Sequence, residues 1–159
     1  MSEEDTIAAL ATPIGSSGIA VVRVSGPNAI PLVANFFRGS TSLPQCKPWR
    51  VYLGKIVVVE DGKEILVDQV LITVFKAPQS YTGEDSVEIS CHGGIYVSNV
   101  ILKYLYLSGA RPAQPGEFTF RAFMNGRLDL TQAEAVADLI RARSMESLKA
   151  SAEQLEGSL

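Results

Sequence analysis

The run SYTGEDSVEISCHGG, residues 80–94, gathers the groups from which chemistry could be built: an acidic turn, an alternating strand, Cys91, the chain's only histidine at His92, and the pair Gly93-Gly94. Alternation in SVEIS places Val87 and Ile89 on one strand face and Ser86, Glu88 and Ser90 on the other. Glu88 then faces water or a pocket. A solvated glutamate is the plain reading, and the setting between TGED and CHGG is what favours a site. His92-Gly93-Gly94 falls where a strand gives way to a helix. Its backbone N–H groups could receive an anion or a polar ligand edge, or the run is a glycine-rich turn with a locally bonded histidine. A Cys91–His92 nucleophilic dyad fails, because adjacent strand residues point to opposite faces. Cys91 is read as an inert buried thiol, and one histidine without clustered ligands supports no metal site.

A second candidate begins at Gln114, where Glu117, Arg121 and Arg127 interleave with Phe118, Phe120 and Phe123. Guanidinium groups bind carboxylates bidentately and stack on planar rings, which suits a flat heterocycle with an acidic tail. The alternative is a hinge whose aromatics plug the core and whose arginines pair with nearby acids. Arg23 poses the same choice: inside the apolar strand IAVVRVSG an arginine needs a partner or an exit to solvent. Glu88 on a neighbouring strand is a candidate partner, making Arg23 either structural or half of a ligand clamp.

The elements that must position these groups are legible in outline. Apolar runs at residues 6–11 and 18–24, separated by TPIGSSG, read as neighbouring strands. Ser25 is a candidate N-cap for a short helix near residues 27–37. WRVYLGKIVVV and VDQVLITVFKA flank the turn EDGKEI as a hairpin, and IYVSNVILKYLYLSG reads as a buried helix ending near Gly109. From Leu130 the chain is rich in Ala, Glu and Leu without proline, and Thr131 with Glu134 fits a capping box for a long helix. Val136, Leu139, Ile140, Leu148 and Leu155 recur at helical spacing and need a packing partner. The expectation is an α+β fold: a mixed β-sheet with helices packed on it, followed by a long C-terminal helical segment that ends as if cut within a helical domain.

Composition limits the function classes. The chain has 159 residues, 47% hydrophobic and 19% charged, with a net charge of −3. That balance argues against a broad phosphate-binding surface, which needs clustered Lys and Arg. Cys46 and Cys91 show neither a metal spacing nor a disulfide framework. The acidic N-terminus is unlike a signal peptide, and no apolar run is long enough to cross a bilayer, so a soluble cytoplasmic protein without a membrane association is expected. There is no GxxxxGK[ST] loop and no GxGxxG fingerprint, so nucleotide hydrolysis is not expected of this chain alone.

Taken together, DTIAALATPIGSSGIAVVRVSG, SYTGEDSVEISCHGG and PGEFTFRAFMNGRLDLTQAEAVADLI resemble the N-terminal part of the TrmE/MnmE family of tRNA-modification GTPases. The resemblance implies a folate-binding, aminomethyltransferase-like domain over residues 1–119 that forms a homodimer, then the start of a truncated helical domain over 120–159. It implies a tetrahydrofolate derivative, 5-formyl or methylene, as one-carbon donor for carbon 5 of a tRNA wobble uridine. A flavin-dependent partner protein and tRNA belong to the full complex, and GTP, Mg and K ions to a G domain outside this chain. Folate contacts fall on Arg23, Glu88 and Arg127, where many relatives carry lysine at the last; Tyr81, His92, Gly93, Gly94, Glu117 and Arg121 are supporting candidates. Two other readings stand beside it: a purely structural dimerisation scaffold, and a stand-alone aminomethyltransferase-like enzyme, for which no nucleophile or general base is evident.

Overall fold

The runs that the sequence marks as strands all enter one sheet. The computed structural model describes residues 5–14 and 17–157. Its strands are β1 (Ile7–Leu10), β2 (Ile19–Ser25), β3 (Phe37–Arg38), β4 (Val51–Glu60), β5 (Lys63–Phe75), β6 (Ser86–His92) and β7 (Arg111–Pro112). They form a seven-stranded mixed sheet in the order β3-β4-β5-β6-β2-β1-β7. The pairings are antiparallel except β1 with β7, which is parallel. The helices are α1 (Ala29–Ala34), α2 (Ile95–Leu107), α3 (Glu117–Met124) and α4 (Leu130–Gly157). This is the expected α+β architecture with a long C-terminal helix.

Side-chain alternation divides the sheet into two faces. Val22, Val24, Val70, Ile72, Val74, Val87 and Ile89 are buried with Ile30 and Val33 of α1 and Ile101 and Leu105 of α2. The opposite face carries Leu53 opposite Leu71, and Leu71 opposite Ser90, in one cross-strand row. The next row runs from Val51 through Thr73 and Glu88 to Arg23. Ile19, Val51, Leu53 and Leu71 on this second face are 63%, 65%, 61% and 46% exposed, so a strip of apolar sheet lies open. The register of β4 with β5 shifts between Ile56 and Val57, where Val67 is the extra residue on β5.

Two local expectations are corrected. The helix expected near 27–37 is shorter, because Ser25 ends β2 and donates its hydroxyl to Glu84 instead of capping a helix. Asn28 occupies the N-cap without a side-chain bond, and Phe37 leaves to pair with β4. The capping box of α4 is formed by Asp129 and Gln132, not Thr131 and Glu134. The Gln132 N–H donates to Asp129 Oδ1 at 2.7 Å, and the Asp129 N–H donates to Gln132 Oε1 at 3.0 Å, a reciprocal arrangement that satisfies two helix-end donors. Early α4 packs on α3. Further along, Leu139, Leu148 and Leu155 remain 63%, 66% and 72% exposed. The boundary expected between residues 119 and 120 lies inside α3.

Candidate functional site

The site grows out of one cross-strand pair. Register places Arg23 of β2 directly opposite Glu88 of β6 on the open sheet face. Arg23 Nη2 lies 3.6 Å from Glu88 Oε1, and the side chains keep 24% and 27% exposure, so both charges are desolvated yet reachable. The guanidinium is flanked by two rings, Tyr81 at 5.1 Å and Phe118 of α3 at 5.2 Å. Cation–π contact of this kind fixes a guanidinium plane without consuming its N–H donors. Tyr81 is held by a 2.9 Å hydrogen bond between its hydroxyl and Thr119 Oγ1.

A second aromatic wall comes from Trp49 and Phe75, packed edge to face with centroids 4.7 Å apart and an interplanar angle of 88°. Arg127, between α3 and α4, donates from Nε to the Ser80 carbonyl at 3.0 Å; no other hydrogen bond or ion pair of its guanidinium forms among the described residues. Arg23, Glu88, Tyr81, Trp49, Phe75 and Arg127 line a cavity of about 350 Å³. An aromatic cleft of that size with a few convergent polar groups has the anatomy of a small-molecule site.

The other sequence candidates lie elsewhere. His92 is four residues beyond Glu88 along β6, roughly 13 Å at strand rise. Its ring Nδ1 and backbone N–H bond the two oxygens of Asp68, each at 2.8 Å. The Gly93 N–H donates to the Gly18 carbonyl at 3.0 Å, so it is not available to an anion. A Cβ on Gly93 would collide with the Ser17 carbonyl oxygen. Gly94, at φ 97°, caps α2. These three residues shape a turn away from the cavity. Cys91 is buried and donates weakly to the Ala20 carbonyl at 3.4 Å. Burial, helped by the Asp68 charge, pushes its thiol up to about 11, which keeps it protonated and inert.

Glu117 and Arg121 form a strut behind the site. Both are buried, at 0% and 1% exposure. Glu117 accepts from Arg111 Nη1 and Nη2 at 3.0 and 2.7 Å and from the Gln114 N–H at 2.9 Å. Arg121 reaches Glu84 at 3.1 Å, the Asp5 carbonyl at 2.7 Å and Glu117 at 3.4 Å. Burial pushes the Glu117 carboxyl up, but the Arg111 hydrogen bonds, the Gln114 N–H and the nearby guanidinium charges outweigh it and hold it below the usual carboxylate range. Trp49 and Phe75 join the site only in the fold, since nothing in their local sequence assigns them to it. The available signal was the chain's single tryptophan, placed just before the hairpin strand.

The fold is a mixed-sheet α+β domain whose open face, with the segment between α3 and α4, lines an aromatic, charge-bearing cavity. Comparison with known proteins gives that domain its family: the chain belongs to the family described as GTP-binding protein TrmE N-terminus, whose model matches residues 6–127. It is 54% identical over 158 residues to the tRNA modification GTPase MnmE of Carboxydothermus hydrogenoformans, covering 98% of this chain and 34% of that protein. The proteins of the same description from Lactobacillus acidophilus and Levilactobacillus brevis are each 49% identical; they cover 100% and 99% of this chain, and 34% and 33% of their own lengths are matched. The chain thus spans about a third of the length of these relatives. No helix among the described residues is long and apolar enough to cross a membrane.

Proposed function

We propose that this chain is the tetrahydrofolate-binding and self-associating part of a longer GTP-hydrolysing protein that modifies carbon 5 of a tRNA wobble uridine. The observation that carries the reading is the Arg23–Glu88 pair set into the wall of the aromatic cavity, with Arg127 on the same rim. A reduced pterin presents adjacent N–H donors that a carboxylate accepts side by side, and Glu88 supplies one. The aromatic walls suit the ligand's rings, and the uncommitted guanidinium N–H groups of Arg127 suit its glutamate carboxylates. The ligand is a one-carbon-bearing form, 5-formyl- or methylene-tetrahydrofolate. GTP with its Mg and K ions, the flavin-dependent partner and tRNA belong to the complete protein and its complex.

The open strip of Ile19, Val51, Leu53 and Leu71 supports self-association, since burying exposed aliphatic area is favourable at about 25 cal/mol per Å². Titration calorimetry with 5-formyltetrahydrofolate tests the folate reading. Glu88→Ala is expected to weaken binding roughly tenfold or more, the scale of a lost charged hydrogen-bond partner, with the fold retained by circular dichroism. A folded wild-type chain that gives no binding heat overturns it. The same open strip also favours a second reading, a pure dimerisation scaffold, which sedimentation separates: a dimer indifferent to folate is its signature.

A further inference from the structure

We propose that Trp49 is a ligand-stacking residue of this cavity, selecting for a flat conjugated ring; the inference rests on the folate reading above. Its backbone lies in the left-handed region at φ 65°, a conformation a bulky side chain adopts only under constraint. The constraint is visible: the Trp49 N–H donates to the Val74 carbonyl at 3.0 Å, and its indole Nε1–H donates to the Gln79 carbonyl at 3.1 Å. Phase by phase, these bonds and the edge contact with Phe75 fix the ring at the cavity wall, yet the residue remains 61% exposed. A large apolar ring held in a strained backbone conformation, with its only polar atom satisfied, offers a pre-organised stacking surface. Nothing in the described fold covers it. The bond to Gln79 also steadies the segment that brings Ser80 and Tyr81 to the same cavity.

Because Trp49 is the chain's only tryptophan, its emission reads the contact directly. With saturating 5-formyltetrahydrofolate, wild-type fluorescence is expected to shift to shorter wavelength and lose intensity, as the ring leaves water and meets the ligand. Trp49→Ala should raise Kd about tenfold or more, the scale of a lost aromatic stacking partner. Trp49→Phe, which keeps a ring, should recover affinity to within roughly threefold of wild type. Calorimetry run in parallel separates the two ideas. Binding heat with unchanged tryptophan emission, or a Trp49→Ala variant that binds within twofold of wild type, overturns the stacking role and leaves the folate reading standing. Absence of binding heat overturns both.

Discussion

Glu117 offers the sharpest test of what is strut and what is site. Replacing it with alanine removes a fully buried carboxylate that accepts four hydrogen bonds from Arg111, Gln114 and Arg121. Arg121, itself 1% exposed, keeps Glu84 but loses its contact with Glu117. Breaking a buried ion pair by deleting one partner costs about 3–5 kcal/mol. For a chain of this size each kcal/mol moves the melting temperature by roughly 2–4 °C, so a fall of about 6–20 °C is expected. Urea unfolding at neutral pH checks the magnitude. The acid dependence supplies a second readout. The folded carboxyl is held below its ordinary value, so its stabilisation is complete above the unfolded value near ~4.3 and is lost as pH falls through the folded one. Wild type should therefore lose stability more steeply than Glu117→Ala on acidification through that range. A loss under about 1 kcal/mol, the scale of a surface pair, or parallel acid slopes would refute the strut.

Other changes separate the remaining candidates. Gly93→Ala should destabilise by about 1–3 kcal/mol, because the new methyl meets the Ser17 carbonyl oxygen, as chemical denaturation would register. His92→Ala should leave folate affinity within roughly twofold by calorimetry, since its ring bonds Asp68 away from the cavity. Asp129→Ala should cost about 1 kcal/mol and reduce helicity by circular dichroism, whereas Thr131→Ala should not, because the cap is Asp129.

What the sequence disclosed follows the range of the forces involved. The hairpin, the helix after Gly94 and the alternation of SVEIS depend on local periodicity, and all three appear in the fold. Glu88 is a candidate partner for Arg23 from the sequence because both sit in apolar strands; their direct opposition is a matter of register, which the sequence leaves open. By contrast, the two-residue strands β3 and β7 carry no periodicity, and their pairing partners are distant in sequence. Thr-x-x-Glu and Asp-x-x-Gln overlap at the start of α4 and both satisfy the capping pattern, so local sequence does not decide between caps two residues apart. The left-handed backbone of Trp49 is not legible in the sequence, because a non-glycine residue carries no local signal for a positive φ. Glu117 and Arg121 looked like ligand groups; only burial reveals that they answer each other.

The contact between Arg121 and the Asp5 carbonyl spans 116 positions of chain. Closing so long a loop costs about 4 kcal/mol in chain entropy, and Arg121 offsets it by meeting the Asp5 carbonyl, Glu84 and Glu117 together. Packing of α3, with the β1–β7 pairing beside it, thus ties the first strand to the segment that precedes the long C-terminal helix. Phe118 lies on that helix and Arg127 just beyond it. The cavity is therefore walled from both ends of the sheet domain, by Arg23 near its start and by Arg127 near its end, so an occupant would sense whether those ends are joined.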